Sequence, residues 1–243
     1  MLFYQKCATH IDKYVQNTYN ICMNTQTKSK QRIREYGEVF TNEREVKAMC
    51  DLVKDETERI DSRFLEPACG NGNFLAEILT RKLEVVKRKY KKSTLDYEKN
   101  AVLAISSLYG VDIMQDNVLA CRDRLFKIWD KEYKAVCKKD CNDQTREAVK
   151  FILTKNIVCG NALTLNCVDE NGNEIDEPIV FSEWAFITGF QMQRQDYTFA
   201  HLLKMNEEEK QTKKQQSLFD EKEDEAKFLR RYVTHYRRVQ ENE

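Results

Sequence analysis

The sequence predicts an α/β protein built around an open, mainly parallel sheet, and three observations support this fold class. A short apolar strand candidate at 63–66 runs into a glycine-rich loop and then into a helical pattern. A second strand candidate at 108–113 ends in an acidic residue, and a third at 157–159 stops at Gly160. Strand, loop and helix therefore alternate as they do in open, doubly wound sheets.

The residues before the first strand favour helices. Apolar side chains at spacings of three and four in the first part of the chain predict an N-terminal helical arm, which we assign to residues 1–35. A turn at 36–42 then precedes a second helical run, which either Thr41 or Asn42 can cap.

The central segment, residues 36–165, alternates the three strands with helices. The first helix starts at Phe74, directly after the glycine loop, and runs into a basic face. Further helical patterns occupy 97–107, 115–132 and 143–154. Three strands thus end in three loops on the same side of the sheet, which is where open α/β sheets bind their ligands.

After the third strand the pattern changes from strand–helix units to a hairpin. Strand candidates at 165–168 and 179–187 flank a turn signal at 169–173, Asp-Glu-Asn-Gly-Asn. We therefore expect residues 166–203 to form a β-hairpin.

The C-terminal segment, residues 204–243, is expected to be a flexible charged tail. Residues 204–227 are almost wholly polar and cannot bury enough apolar area to offset the entropy lost on ordering. A short helix from 228 to 239 is predicted to follow.

One short motif lies within this tail. Gln215, Leu218 and Phe219 belong to a Gln-Gln-Ser-Leu-Phe sequence that resembles the peptides by which bacterial proteins dock on the replication sliding clamp. The alternative is a chance Leu-Phe pair in a tract rich in glutamine and lysine.

Composition excludes several classes of function. The 40 Lys and Arg residues balance the 40 Asp and Glu residues, so the chain as a whole offers no electrostatic attraction for a polyanion. Nine cysteines, with no signal peptide and no apolar run of membrane-spanning length, lead us to expect a reducing cytoplasm with free thiols. The absence of a Cys-x-x-Cys motif and the three scattered histidines predict no metal site.

The glycine loop at 70–72 is a candidate ligand site. It follows a strand and precedes a helix, so a ligand can approach the backbone and the unpaired N–H groups of the helix start. The loop lacks the third glycine of a dinucleotide fingerprint and the Lys-Ser/Thr of a P-loop, which disfavours NAD and ATP.

The acid at the end of the second strand points to a ribose. Asp112 can accept two hydrogen bonds from a diol, and Ile113 can lie against an adenine face, so the pair fits an adenosyl ligand without a pyrophosphate. Two plainer interpretations stay open. Asp112 can be a surface acid that caps the following helix, and Asn161 can be a left-handed turn residue.

Four segments resemble, in order, the motifs of amino-methylating DNA methyltransferases that use S-adenosylmethionine, particularly the adenine-N6 enzymes of restriction-modification systems. Residues 36–41, Tyr-Gly-Glu-Val-Phe-Thr, are similar to the N-terminal motif, and 66–75 are close to the first motif over ten positions. Residues 110–113 resemble the second motif and 160–163 the third, with Asn161 where aspartate is usual.

The resemblance implies a Rossmann-like S-adenosylmethionine-dependent methyltransferase fold and a role for ten residues. It implies contacts to the methionine moiety from Phe40 and Thr41, to the amino acid and sulfonium from Glu66, Ala68, Gly70 and Gly72, to the ribose from Asp112, and to adenine from Ile113, Asn161 and Leu163.

A departure from the family pattern is equally informative. These enzymes carry an (Asn/Asp/Ser)-Pro-Pro-aromatic tetrapeptide that binds and stacks on the flipped base. The only prolines here are Pro67 and Pro178, and neither adjoins a second proline or a cysteine. We therefore expect no catalytic residue in this chain. We also expect an incomplete sheet, because the first strand lacks the neighbouring strand that it has in this fold class.

The resulting hypothesis is a split adenine methyltransferase. This chain binds the cofactor, whereas a partner subunit supplies the catalytic tetrapeptide, the later strands and the DNA-recognition surface. The alternatives are a methyltransferase that acts on a non-DNA substrate and a non-catalytic protein that only binds S-adenosylmethionine.

The aromatic segment 181–186 in the hairpin is a candidate for docking that partner; the alternative is a degenerate catalytic motif. Trp184 lies between Phe181 and Phe186, and large aromatic side chains are enriched at protein interfaces. Arg194 and Asp196 are expected at the rim of the same interface.

Overall fold

The computed structural model describes Arg32, Arg34 and residues 38–204 and 228–242. Its helices are α1 Glu43–Asp51, α2 Lys54–Thr57, α3 Asn73–Tyr90, α4 Thr94–Ser106, α5 Gln115–Cys137 and α6 Asp143–Asn156, with 3-10 turns at Lys138–Asp140 and Tyr236–Glu241. Its strands are β1 Phe64–Glu66, β2 Leu108–Asp112, β3 Ile157–Asn161, β4 Asn166–Val168, β5 Glu174–Pro178, β6 Val180–Phe186, β7 Gln191–Thr198 and β8 Arg230–His235. The sliding-clamp motif and, apart from Arg32 and Arg34, the expected N-terminal arm lie outside the described residues.

The main sheet has five strands in the order β1-β2-β3-β4-β5. The first three are parallel, and the crossovers between them carry α3 with α4 and then α5 with α6. Strands β4 and β5 extend the sheet in the antiparallel direction beyond β3. Among the described residues, no strand pairs with the other edge of β1. The α/β class and the alternation of strands and helices are confirmed.

Both faces of the parallel strands are covered, which explains their continuous apolar sequence. One face, with Phe64, Leu108 and Ile157, packs into the helical core. The opposite face, which includes Val111, packs against a smaller cluster centred on Phe181. The helical boundaries follow local signals, as at α1, where the side chain of the N-cap residue Asn42 accepts a hydrogen bond from the Arg44 N–H.

The hairpin prediction is only partly right. β4 pairs with β5 across the turn at 169–173, where the Asp169 carboxylate accepts hydrogen bonds of 2.8 Å from the backbone N–H groups of Asn171 and Asn173. Residues 180–186 pair instead with β7, in a separate three-stranded sheet of order β6-β7-β8. The expected pairing of 165–168 with 179–187 is wrong because a nearer strand, β5, takes that place beside β4.

The predicted C-terminal helix at 228–239 is also wrong. Residues 230–235 form β8, which pairs antiparallel with β7 from Asp196 to Gln191. The 3-10 turn Tyr236–Glu241 follows and packs on α6. Tertiary pairing decides the conformation of this segment, and its Tyr-Val-Thr sequence suits a strand.

The aromatic segment of β6 packs inside the chain. Trp184 is 8% exposed, and its indole N–H donates a hydrogen bond of 3.0 Å to Oδ1 of Asn156 on α6. Arg194 and Asp196 are buried as well, joined by two hydrogen bonds of 2.7 Å, so they are not rim residues. The predicted docking role of this segment is therefore replaced by an intramolecular one.

None of the described helices is both long enough and apolar enough to cross a membrane.

Candidate functional site

The glycine loop is fixed across the carboxyl end of β2. The Cys69 N–H donates a hydrogen bond of 2.9 Å to the Val111 carbonyl, and the Gly70 N–H donates one of 2.8 Å to Oδ2 of Asp112. Gly72 is the N-cap residue of α3, with φ of +81°, a conformation that side chains with a Cβ rarely adopt. The loop therefore brings the end of β2 and the start of α3 together around one backbone turn.

Asp112 is the centre of this arrangement. Its Oδ1 accepts hydrogen bonds from the Met114 N–H at 2.9 Å and from Nδ2 of Asn117 at 3.1 Å. Its Oδ2 accepts from Gly70, and a carboxylate oxygen can accept a second donor. Asp112 is more than a helix cap, because it joins the glycine loop to the start of α5 and retains an acceptor position.

The N-terminal motif lies over the loop. The ring of Phe40 packs on Gly70 so closely that a Cβ at that glycine would lie 2.9 Å from Cε1 of the ring. The Thr41 carbonyl accepts a hydrogen bond of 2.9 Å from Nδ2 of Asn73, in the first turn of α3. The described part of this motif thus covers the loop; Tyr36 and Gly37 fall outside the described residues.

Glu66 is the acidic group at the end of β1. Burial raises the pKa of its carboxyl group to about 7, and a hydrogen bond from the Ala68 N–H opposes that rise. Ala68 itself is exposed at the start of the loop. Near neutral pH, Glu66 is therefore balanced between its neutral and charged forms.

The residues in the last part of β3 and directly after it lie at the same edge of the sheet but contact the loop less directly. The Cys159 thiol donates a hydrogen bond of 3.5 Å to the Ile113 carbonyl, which links β3 to the end of β2. Oδ1 of Asn161 accepts from the Leu163 N–H at 3.0 Å, and its Nδ2 donates to Glu174. Leu163 is 91% exposed, so its side chain is free to meet a ligand.

The structure adds two polar residues of α5 that the sequence did not single out, Asn117 and Arg124. Nδ2 of Asn117 donates a hydrogen bond of 2.7 Å to Oε1 of Glu38, as well as the bond to Asp112. Arg124 donates to Oδ1 of Asn73, which fixes the carboxamide that holds Thr41. Asn73 stood within the first motif, whereas Asn117 and Arg124 belong to α5 and have no local sequence signal.

These residues can hold an adenosyl cofactor. The glycines of the loop have no side chain, so a ligand can approach their backbone closely. Asp112 provides a hydrogen-bond acceptor, and Glu66 provides a carboxyl group near the loop. Phe40, Thr41, Gly70, Gly72 and Asp112 form one cluster, whereas Asn161 and Leu163 stand at the end of the neighbouring strand. In the ranges 38–204 and 228–242, no group of three His, Cys, Asp or Glu side chains is placed to hold a metal ion.

Comparison with known proteins gives one family. The family model described as MmeI, DNA-methyltransferase domain, matches residues 40–237, which is most of the chain. Neither the curated proteins nor the solved structures include a match. The chain therefore belongs to the MmeI DNA-methyltransferase domain family of restriction-modification enzymes.

Proposed function

We propose that this chain is the S-adenosylmethionine-binding part of an N6-adenine DNA methyltransferase. The observation that carries this proposal is the cluster in which the Phe40 ring packs on the glycine loop and the Asp112 carboxylate accepts a hydrogen bond from the Gly70 N–H of that loop. The family match supports methyl transfer to DNA. When bound, S-adenosylmethionine supplies an electrophilic methyl group on a sulfonium centre.

Residues of the cluster and of the neighbouring strand ends have separate tasks in this proposal. Oδ2 of Asp112 accepts a hydrogen bond from the ribose, because among the described residues it accepts from the Gly70 N–H, whereas Oδ1 already accepts from two donors. Gly70 and Gly72 let the amino-acid portion approach the main chain, and Phe40 shields it from water. Ile113 and Leu163 contact the adenine, and Asn161 hydrogen-bonds its edge. Glu66 in its charged form lies near the sulfonium.

Replacement of Asp112 by alanine is expected to weaken S-adenosylmethionine binding by about 1–3 kcal/mol, because a ribose hydroxyl and the Gly70 N–H lose a charged acceptor. Isothermal titration calorimetry measures the change. Asp123→Ala is the matched control, since Asp123 is an exposed acid of α5 that pairs with Lys127. An equal affinity in the Asp112 variant would remove this residue from the site.

The affinity for S-adenosylmethionine is expected to rise with pH. Burial holds the pKa of Glu66 at about 7, so its carboxyl group is largely neutral at pH 6 and largely charged at pH 8. A cation binds better to the charged form, and the change in ionised fraction corresponds to about tenfold tighter binding over this range.

Two comparisons isolate the contribution of Glu66 to that pH dependence. S-adenosylhomocysteine has the same amino-acid portion as S-adenosylmethionine but no sulfonium charge. The affinity for S-adenosylmethionine divided by the affinity for S-adenosylhomocysteine should therefore rise as the pH increases through 7. Glu66→Gln should make that ratio independent of pH. A ratio that rises equally in Glu66→Gln would contradict the assignment.

The catalytic tetrapeptide is proposed to lie on another polypeptide segment. The sequence has two separated prolines and so contains no Pro-Pro. The Phe64 N–H donates to the Ser107 carbonyl, and the backbone groups of Leu65 therefore point to the opposite edge of β1. We infer that a strand of the catalytic segment pairs at this edge, which brings its tetrapeptide beside the glycine loop.

A DNA-binding surface on the partner, and not on this chain, also agrees with the net charge of the chain. Its formal net charge is zero, whereas DNA-binding surfaces are strongly basic. In this proposal the partner segment carries the DNA-recognition surface, and this chain reaches DNA only through the complex. The partner's tetrapeptide would hold the target amine in line with the methyl group that S-adenosylmethionine supplies when bound.

A reconstitution experiment tests the catalytic half of the proposal. The chain is incubated with DNA and S-adenosylmethionine, with and without a polypeptide that carries an (Asn/Asp)-Pro-Pro-(Tyr/Phe) segment, and the digested DNA is analysed by mass spectrometry. We expect N6-methyladenine only in the combined sample. Methylation by the chain alone, or a methylated cytosine as the product, would contradict the proposal.

A further inference from the structure

Asn117 links the proposed cofactor site to Glu38, in the N-terminal segment before α1. Its side chain lies in the first turn of α5, and the residue is 1% exposed. Nδ2 donates hydrogen bonds to two carboxylates, at 3.1 Å to Oδ1 of Asp112 and at 2.7 Å to Oε1 of Glu38. A carboxamide nitrogen carries two protons, so it can serve both acceptors at once.

The second carboxylate is held in place by an arginine. Arg32 forms an ion pair of 2.7 Å with Glu38, whose side chain is only 8% exposed, and donates hydrogen bonds of 2.6 and 3.0 Å to Asp116. The positive charge of Arg32 compensates the acids that meet around Asn117. The network therefore runs from Arg32 through Glu38 and Asn117 to Asp112.

The network fixes which oxygen of Asp112 is left for a ligand. Asn117 and the Met114 N–H both donate to Oδ1, whereas Oδ2 accepts a hydrogen bond from the Gly70 N–H alone among the described residues. Without the Asn117 carboxamide, the carboxylate would lose one donor that sets its rotation. An aspartate at position 117 would place a third carboxylate between two others.

We propose that Asn117 is a positioning residue that orients the Asp112 carboxylate toward the cofactor ribose and couples that orientation to the N-terminal segment through Glu38. The inference rests on the proposed function, since it assigns the residue that prepares the ribose site. Asn117 acts through Asp112 and does not itself contact the cofactor.

The test compares two ligands that differ only in the ribose, S-adenosylhomocysteine and its 2′-deoxy analogue, by calorimetric titration. Asn117→Ala is expected to weaken binding of the ribose form about tenfold, which corresponds to one hydrogen bond to a charged group, and to leave the deoxy form nearly unchanged. The matched control is Asn100→Ala, because the Asn100 carboxamide donates only to the Asp96 carbonyl on the surface of α4.

The outcomes separate the inference from the proposed function. If the wild-type chain binds neither ligand, the proposed function is contradicted. If it binds both and Asn117→Ala weakens both equally, the positioning role is overturned and Asn117 is only structural. Should Asn117→Ala fail to fold, Glu38→Gln makes the same comparison: a loss confined to the ribose form supports the coupling, and an equal loss overturns it.

Discussion

Replacement of Gly72 by alanine is expected to lower the affinity for S-adenosylmethionine about 100-fold, equivalent to about 3 kcal/mol. Two effects add at this position. The backbone has φ of +81°, which costs a residue with a Cβ about 1–2 kcal/mol. In addition, the new Cβ would lie 2.6 Å from Sγ of Cys121, a fully buried residue of α5. The loop must move away from α5, and overpacking of this kind costs about 1–3 kcal/mol.

Gly172 provides a control for the backbone term alone. Its φ is +82°, but no atom lies within 4 Å of a Cβ built there. Gly172→Ala should therefore lower the free energy of unfolding by only about 1 kcal/mol and leave cofactor binding unchanged. Cys121→Ala combined with Gly72→Ala should recover part of the lost affinity. Equal cofactor affinities of the two single glycine variants would contradict the loop geometry.

Replacement of Glu98 by alanine is expected to lower the free energy of unfolding by about 3–5 kcal/mol. The residue is 2% exposed, and its carboxylate accepts hydrogen bonds from the hydroxyl groups of Tyr133 and Tyr236 and, at 2.7 Å, from Nε of Arg237. Removal of the carboxylate leaves two buried hydroxyl groups and a guanidinium without this acceptor. Urea denaturation followed by circular dichroism measures the loss.

A surface acid serves as the control for Glu98. Glu132 pairs with Lys87 at 3.0 Å, and both side chains are partly exposed, so Glu132→Ala should cost less than about 1 kcal/mol. The difference between the two variants measures how firmly the segment 228–242 is attached to the helical core. A loss below about 1 kcal/mol for Glu98→Ala would show that this attachment is weak.

The first half of the fold was predictable because its signals are local. The glycine loop at 70–72 is bounded by an apolar strand and an apolar helix, and Asn42 has the side chain that an N-cap requires. Each of these features needs only a few neighbouring residues. The order of strand, loop and helix then restricts the topology to a parallel sheet.

The C-terminal segment could not be predicted because its partners are remote. β8 becomes a strand through pairing with β7, and Tyr236 and Arg237 bind Glu98 from 138 and 139 residues away. Likewise, Arg194 and Asp196 look like surface residues in the sequence, yet they neutralise each other in the interior. Charge and local periodicity contain no information about such pairings.

The candidate site likewise contains residues with a local sequence signal and residues without one. Gly72 and Asp112 could be proposed from the sequence, because one lies in the glycine loop after β1 and the other ends β2. Asn117 could not, because its role depends on Glu38 and Asp112 approaching it from segments 79 and 5 residues away. Polar residues that position another polar residue leave no spacing pattern of their own.

Calorimetric titration of the purified chain with S-adenosylmethionine measures the proposed cofactor binding itself. ATP and NAD serve as control ligands, and Asp112→Ala is titrated beside the wild type. We expect saturable binding of S-adenosylmethionine that is weakened in the variant, with no comparable binding of ATP or NAD. Absence of saturable binding, or equal affinity for ATP, would contradict it.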